Sequence, residues 1–308
     1  MGFSGGADST ALLALMKVLS MRKGSPVGQV SALHVDHGLR PESTEEARHA
    51  VKVCEVLDID LEIHQLSLEG APGNLSDRAR IARYQALESS ATTRQCEYVC
   101  TAHHAEDRFE TMLQNLCRGG GAAGISKPRW VRSLGDVSLV RPLLGCARSD
   151  LRALCMRADL AFIDDPSNED PASARGLLRQ QVLPALEARW PGASLRASAA
   201  ADRIAAASDA LEVRITASFG DEDCHSWSRN IFRGVDVELS TAALRRSLLA
   251  FAEAVGVPVE KNSFARRLRE AAEHASSNNQ APRTFEFAGG SIGVVSDVHH
   301  VRIIHNEC

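Results

Sequence analysis

Short apolar runs alternate with amphipathic stretches through the first half of the chain. The apolar runs predict buried strands, and the stretches between them, in which apolar residues recur every three or four positions, predict helices. The predicted strands lie at 30–35, 61–64, 98–102 and 139–140, and only the first three residues remain to form a strand ahead of them. Strands that alternate with helices are typical of βα units around a parallel sheet, so this part of the chain is predicted to be an α/β domain.

The predicted helices have recognisable starts and ends. They lie at 11–24, 43–57, 77–87, 105–118, 149–160, 175–190 and 195–218, and Ser43, Ser76 and Ser149 are predicted caps. In the helix at 105–118 the large apolar residues share one face, which is expected to be the buried one: Phe109, Met112, Leu113 and Leu116. Met156 and Trp190 are also expected to lie in the core.

The pattern changes after the long alanine-rich helix. The chain is therefore predicted to comprise a parallel-sheet domain at 1–190, a helical linker at 191–220 and a small α+β domain at 221–308. In the last of these, strands are predicted at 235–239, 284–287, 292–295 and 301–304, and helices at 241–255 and 263–274.

Composition places the chain among ordinary globular proteins, with 44% apolar and 24% charged residues. The longest strictly apolar run, 11–16, is too short to span a bilayer, and no signal peptide has room ahead of the first helix, so no membrane partner is expected. The eight cysteines include no C-x-x-C pair and predict free thiols in a reducing, cytoplasmic compartment. Because the net charge is −4, any binding of nucleic acid must come from local basic clusters.

The stretch at 4–9 carries the strongest chemical signal. Its sequence is Ser4-Gly5-Gly6-Ala7-Asp8-Ser9, and an apolar helix follows it. The start of a helix offers unpaired amides and a positive dipole end, adjacent glycines let an anion approach the backbone, and the carboxylate can hold Mg²⁺. The Walker A and Rossmann patterns are both missing. The alternative is a glycine-rich turn with a Ser or Asp helix cap.

Polar side chains follow two further predicted strands. Asp36 and His37 come directly after 30–35, and His103 and His104 come directly after 98–102. Because the carboxyl ends of parallel strands meet at one edge of a sheet, these side chains are expected to lie near the glycine-rich loop. Acidic residues three and four positions after His103 could help to bind a divalent metal or a substrate amine. The alternatives are a polar surface loop and a helix start whose acids complement the dipole.

An arginine-rich stretch follows near the end of the predicted first domain. Arg175 and Arg179 are one helical turn apart and share a face. Five arginines lie between Arg175 and Arg203, opposed only by Glu187 and Asp202. They indicate either a phosphate-binding patch, since arginine forks match phosphate well, or a solvated helix face.

The hexapeptide resembles the S-G-G-x-D-S signature of the PP-loop ATP pyrophosphatases, which have an adenine nucleotide α-hydrolase-like fold. Over about the first 190 residues the chain also resembles the tRNA(Ile)-lysidine synthetase family. The matching stretches are 4–9, 34–39 with Ser43, 79–84, 101–107 with Glu110-Thr111, 118–124, 141–143, and 165–168 with Arg175, Arg179 and Leu183-Pro184. The glycine pair at 289–290 resembles part of that family's small C-terminal domain.

The resemblance implies a ligase that uses ATP and Mg²⁺. In that family, ATP adenylates the C2 oxygen of the wobble cytidine in a tRNA(Ile) with a CAU anticodon. The ε-amine of free L-lysine then displaces AMP and gives lysidine. The implied partners are therefore tRNA(Ile) and lysine, and a homodimer is an allowed assembly.

The resemblance also implies roles for individual residues. The hexapeptide would bind ATP, with Asp8 as the ligand of Mg²⁺. The implied catalytic residues are Asp8, Asp36, His104 and Asp107, of which Asp107 would receive the lysine ammonium with His104 as its neighbour. Arg80, Arg175 and Arg179 would bind tRNA or phosphate.

Three departures from the family's pattern bear on these roles. The first strand is clipped, Gly176 stands where the family usually has Asn, and Arg108-Phe109 replace a Gln and a small residue. One alternative is another PP-loop enzyme of tRNA modification, a cytidine thiolase, whose cluster usually needs paired cysteines. The other alternative is a catalytically inactive RNA-binding relative. Release of AMP from ATP would distinguish an enzyme from such a relative.

Overall fold

The computed structural model describes residues 1–36, 43–66, 75–164, 173–221, 224–259, 265–277, 281–297 and 299–305. The chain divides into two compact units, Met1–Ile204 and Ala205–Cys308. The three-part division at 190 and 220 stays a prediction. His37, the motif at 165–168 and the side chains of the predicted caps Ser43 and Ser76 lie outside the described part of the chain.

The first unit alternates strands with helices, as the apolar pattern predicts. Its strands are β1 (Ser31–Asp36), β2 (Asp60–Gln65), β3 (Tyr98–Cys100), β4 (Val131–Leu134) and β5 (Val137–Val140). Its helices are α1 (Ala7–Ser20), α2 (Ser43–Val56), α3 (Leu75–Thr93), α4 (Ala105–Cys117), α5 (Ala122–Ile125), α6 (Arg148–Arg157), α7 (Ala174–Leu177) and α8 (Leu183–Arg189). A long helix, α9 (Ala193–Phe219), begins in this unit and ends in the second.

Parallel pairing dominates the first unit, and the first three residues join its two sheets. β1 pairs with β2 and β3 pairs with β5, both in parallel. The amide of Phe3 donates to the carbonyl of Leu33 at 2.9 Å on one side, and the amide of Gly2 donates to the carbonyl of Cys100 at 3.0 Å on the other. Residues 1–3 therefore lie between β1 and β3, and the predicted α/β fold with a parallel sheet is confirmed.

One strand of this unit, β4, is not predicted by the apolar pattern of the sequence. β4 pairs with β5 in antiparallel fashion through a tight turn at Gly135, whose φ is +54°. The strand is four residues long and includes Arg132 and Ser133, so it offers no apolar run. The sheet is consequently mixed at this edge.

The predicted apolar face of α4 is only partly buried. The buried residues of the helix are Ala105, Asp107, Arg108 and Glu110, whereas Phe109, Met112 and Leu113 are partly buried and Leu116 is 56% exposed. Arg108 is fully buried because its guanidinium forms an ion pair with Asp202 at 2.6 Å and donates to the carbonyl of Ser198 at 3.1 Å. Partners far away in the sequence thus stabilise the charged face of this helix.

Other local predictions are wrong in instructive ways. Met156 and Trp190 are 69% and 53% exposed, so neither belongs to the core. Ser149 does not cap α6, whose N-cap is Ala147. The helix predicted at 175–190 is interrupted by a π-helical stretch, Leu178–Val182. Of the two effects expected of Pro184, a kink or the start of a second helical segment, the second is confirmed, because Pro184 lies in the first turn of α8.

The second unit is a small α+β module. Its helices are α10 (Arg229–Arg233), α11 (Val237–Ala254) and α12 (Ala265–Ser276), and its strands are β6 (Ser226–Ser228), β7 (Arg283–Phe287), β8 (Ile292–Ser296) and β9 (His300–His305). The antiparallel sheet has the order β6-β9-β8-β7 and packs its apolar face with Phe232, Leu244 and Leu248.

The strand predicted at 235–239 does not form. The carboxylate of Asp236 accepts a hydrogen bond from the amide of Leu239 at 2.8 Å, so these residues begin α11 instead. No helix in the described parts of either unit is long and apolar enough to cross a membrane.

Candidate active site

A cavity of about 400 Å³ opens in the first unit beside the start of α1. It collects most of the residues that the sequence singles out: Ser4, Gly6, Ala7, Asp8, Ser9, Arg80, His104, Asp107, Arg175 and Arg179. Gly5 is the buried residue of the glycine-rich loop, and Asp36 is the last residue of β1; neither lines the cavity. The predicted roles of these two residues stay predictions.

The glycine-rich loop has a fixed shape that requires its glycine. Gly5 has a φ of +82°, and a Cβ atom there would lie 3.3 Å from the ring of His49. The carbonyl of Gly5 accepts a hydrogen bond from the amide of Ile163 at 2.9 Å, which ties the loop to the segment after α6. Ser9 is buried, and its hydroxyl donates to the carbonyl of Gly6 at 3.0 Å. Ser9 therefore stabilises the turn from inside.

The start of α1 has no side-chain cap. Gly6 is its N-cap, so the first-turn amides remain available to an anion that enters the cavity. Asp8 lies in this first turn, and its Oδ1 atom is buried without a hydrogen-bond partner in the described structure. An orphaned carboxylate oxygen beside a phosphate-binding helix start fits Mg²⁺, which prefers oxygen ligands and takes its remaining ligands from phosphate and water. In the described part of the chain, no three or more His, Cys, Asp or Glu side chains are arranged so that together they could hold a metal ion.

His104 lies among three carboxylates. Its Nε2 is 3.5 Å from Asp8 and 3.3 Å from Asp107, and its Nδ1 is 3.0 Å from Glu106. Burial lowers the pKa of this histidine, but the charge of Asp107 and the hydrogen bonds to the other two carboxylates outweigh burial and raise its pKa to about 10. The side chain is therefore an imidazolium at neutral pH.

The neighbouring His103, in contrast to His104, is uncharged at neutral pH. Its Nδ1 lies 3.0 Å from the hydroxyl of Thr101, and it lines the same cavity. Burial, opposed only in part by Asp107, lowers its pKa to about 3. The sequence motif contains His103, but only the structure separates a charged histidine from a neutral one.

Two arginines hold the acidic face of α4. Arg179 reaches Asp107 at 2.7 Å and Glu110 at 2.5 Å, and Arg175 reaches the same carboxylates at 3.4 and 2.7 Å. Burial raises the pKa of Asp107, yet His104 and the arginines hold it well below its usual range. Glu110 is only 1% exposed, and the sequence analysis did not single it out as a candidate site residue. Its position three residues after Asp107, on the same helical face, was the available signal.

A second group of arginines surrounds Tyr84, and we call it the Tyr84 cluster. The guanidinium carbons of Arg80, Arg83 and Arg132 lie 5.2, 5.8 and 4.8 Å from the centre of the phenol ring. Arg141 is buried against Tyr84, and its Nε has no hydrogen-bond partner in the described structure. Among the described residues, no carboxylate forms an ion pair with any of the four arginines. Only Arg80 of this cluster was predicted as a site residue.

Comparisons with known proteins show which family this chain belongs to. A family model described as a PP-loop domain matches residues 1–186. The chain is 41% identical over 192 residues to the tRNA(Ile)-lysidine synthase of Pseudomonas fluorescens, which covers 62% of this chain and 42% of that protein. It is 36% identical over 281 residues to the enzyme of the same name from Chromobacterium violaceum, covering 88% of this chain and 61% of that one.

The chain thus spans about half the length of the relatives that it matches. A solved structure, the U34-tRNA thiolase NcsA from Methanococcus maripaludis, superposes with a TM-score of 0.55 at 21% identity. That match covers 66% of this chain and 70% of the thiolase, and it concerns the fold alone.

Proposed function

The chain belongs to the PP-loop domain family, and from this premise we propose that it is a tRNA(Ile)-lysidine synthetase. It would join lysine to C2 of the wobble cytidine of a CAU-anticodon tRNA(Ile), with AMP and pyrophosphate as the other products. The observation that carries the proposal is the meeting of Asp8, His104 and Asp107 in one cavity with the glycine-rich loop. The relatives that are 36% and 41% identical to this chain are named tRNA(Ile)-lysidine synthase, which supports the proposal.

In the first step, the loop binds ATP. The C2 oxygen of cytidine attacks the α-phosphorus, the bond from this phosphorus to the bridging oxygen breaks, and pyrophosphate leaves with the electron pair. The first-turn amides of α1 would hold the phosphates, because this helix start has no cap of its own. Mg²⁺ bound at Asp8 would offset phosphate charge. Catalysis here consists mainly of positioning and charge stabilisation.

In the second step, the ε-amine of lysine attacks C2 and AMP leaves with the C2 oxygen. Around His104, four carboxylates face three cations: Asp8, Glu106, Asp107 and Glu110 against His104, Arg175 and Arg179. The lysine ammonium would bind at Asp107, whose carboxylate would supply its counter-charge. Neutral His103, on the same cavity wall, would accept a hydrogen bond from the incoming amine.

The Tyr84 cluster would bind the RNA strand that carries the cytidine. Arg80 and Arg83 line the cavity, and Arg132 extends the cluster along the hairpin of β4 and β5. Guanidinium groups without carboxylate partners suit the phosphodiester backbone, and an aromatic ring suits a base. RNA contacts by Arg175 and Arg179, a homodimer and a cytoplasmic location also remain proposals.

The proposal is tested by incubation of the protein with ATP, Mg²⁺, labelled lysine and a tRNA(Ile) transcript, followed by nucleoside analysis. Labelled lysidine is expected only when all components are present. A tRNA(Met) transcript, which has the same CAU anticodon, is the matched control for substrate choice. AMP release without lysine incorporation would indicate a different PP-loop modifier, and binding without AMP release would indicate an inactive relative.

A further inference from the structure

Arg148 differs from the other arginines that line the cavity. It is the first residue of α6, and its backbone amide donates to both carboxylate oxygens of Glu106, at 3.2 and 3.1 Å. Glu106 also pairs with His104, which reaches Asp8. This chain of contacts fixes the backbone of Arg148 at the Asp8 end of the cavity.

The guanidinium of Arg148 has no ion-pair partner among the described residues, although a carboxylate lies close. That carboxylate, Asp164, is already engaged by Arg152, which forms two bonds to it at 2.6 and 2.8 Å. Asp164 directly follows Ile163, whose amide holds the glycine-rich loop. Arg148 therefore leaves an uncompensated positive charge beside this loop, unlike Arg175, which is paired with Glu110.

The N-termini of α1 and α6 both lie at this end of the cavity, and only that of α6 is contacted by a carboxylate. The first turn of α6 has the carboxylate of Glu106, whereas the first turn of α1 has no capping side chain. α1 and α6 are held together in part by the thiol of Cys155, which donates to the carbonyl of Ala7 at 3.4 Å. A polyphosphate on the start of α1 would thus lie within the reach of a free arginine fork.

We propose that Arg148 binds the β- and γ-phosphates of ATP and retains pyrophosphate after cleavage. This inference rests on the proposed function, and it assigns the residue to the leaving group. AMP lacks these phosphates, so Arg148 would distinguish ATP from AMP. Its positive charge would also stabilise the negative charge that the pyrophosphate oxygen gains as its bond to the α-phosphorus breaks.

The test is equilibrium binding of ATP, pyrophosphate and AMP, each with Mg²⁺, to the full chain and its variants. Arg148→Ala is expected to weaken the binding of ATP and of pyrophosphate about tenfold or more, because a charged contact to phosphate is lost, while the affinity for AMP stays unchanged. Arg148→Lys should recover part of the loss. Arg157→Ala is the matched control, because Arg157 is exposed in the last turn of the same helix and does not line the cavity.

The outcomes separate this inference from the proposed function. An Arg148→Ala variant that binds ATP as tightly as the unchanged protein overturns the inference alone, as does an equal loss of ATP and AMP affinity. A failure of the unchanged protein to bind ATP overturns the proposed function and the inference with it. Selective loss of ATP and pyrophosphate supports the inference even if the tRNA substrate proves to be different.

Discussion

The Nε2 atom of His104 lies 3.5 Å from Oδ2 of Asp8. This contact connects the first turn of α1, where the phosphates of ATP would bind, with the start of α4, where lysine would bind. The two oxygens of the Asp8 carboxylate have different surroundings. Oδ2 faces the imidazolium of His104, and Oδ1 has no protein partner in the described structure, so Oδ1 would be the ligand of Mg²⁺. The nucleotide and the amine would therefore share one charge network.

Replacement of Asp8 by Asn should abolish AMP production and leave tRNA binding nearly intact. An amide is a poor ligand for Mg²⁺ and cannot balance His104, so a loss of about 100-fold or more in rate is expected. AMP release and tRNA affinity are measured on the same preparation, with Asp58→Asn as a control because Asp58 pairs with Lys17 on the surface. Near-normal AMP formation would remove Asp8 from the metal site.

The raised pKa of His104 predicts a pH-dependent contribution to stability. The folded-state pKa of about 10 lies above the ordinary value of 6.5, so the stabilisation is fully present below pH 6.5 and is lost as the pH rises through about 10. The difference in unfolding free energy between the unchanged protein and His104→Asn should shrink across this range. The slope is limited to one proton, about 1.4 kcal/mol per pH unit.

Urea unfolding at several pH values between 6 and 10 measures this difference. Taking the difference between two proteins cancels the titration of groups that both share, such as the buried cysteines. A difference that stays constant or grows with pH would mean that His104 is not charged in the folded state.

Replacement of Asp107 by Ala should raise the lysine requirement more than the ATP requirement. The ammonium loses a counter-charge, and Arg179 loses a partner, so an increase on the order of tenfold in the KM for lysine is expected. The KM values for lysine and ATP are compared with those of Asn115→Ala, which alters the same helix at a contact with Gly124. Unchanged dependence on lysine would leave Asp107 as a helix-dipole partner only.

Local sequence patterns predicted those parts of the molecule that local physics determines. The glycine-rich loop, β1 and the histidine pair after β3 all follow from an apolar run that ends in polar residues. Because parallel strands bring their carboxyl ends to one edge, the sequence also predicted that Asp8 and His104 would lie close together. Their distance of 3.5 Å agrees with that argument.

Contacts between distant segments explain what the sequence left unpredicted. In the sequence, Glu110 and Arg108 are charged residues of a kind that usually lies at the surface. In the structure Glu110 pairs with Arg179, 69 residues away, and Arg108 pairs with Asp202, 94 residues away, and both Glu110 and Arg108 are buried. The Tyr84 cluster likewise needs Arg132, which comes from a strand too short and polar to predict. Periodicity describes a helix in isolation, whereas the choice of its buried face depends on which partners tertiary structure supplies.

The last prediction concerns which arginines bind tRNA in a protein whose net charge is −4. Long-range attraction to tRNA cannot come from the overall charge, so it must come from arginines that form no ion pair with a carboxylate. Arg80 and Arg132 meet this condition among the described residues. Changing both to Ala should weaken tRNA binding and flatten the dependence of log affinity on log salt by roughly one to two units.

The same measurement decides the predicted role of Arg175 and Arg179. Both are engaged with Asp107 and Glu110, yet the side chain of Arg175 is 41% exposed and could still reach a phosphate. A flattened slope in the Arg175→Ala/Arg179→Ala double variant would confirm their RNA contact, and an unchanged slope would restrict them to the lysine side of the cavity. Affinity is measured at several salt concentrations for both double variants and the unchanged protein. Identical slopes in all three would direct the search to the second unit, where Arg266, Arg267 and Arg269 lie on α12.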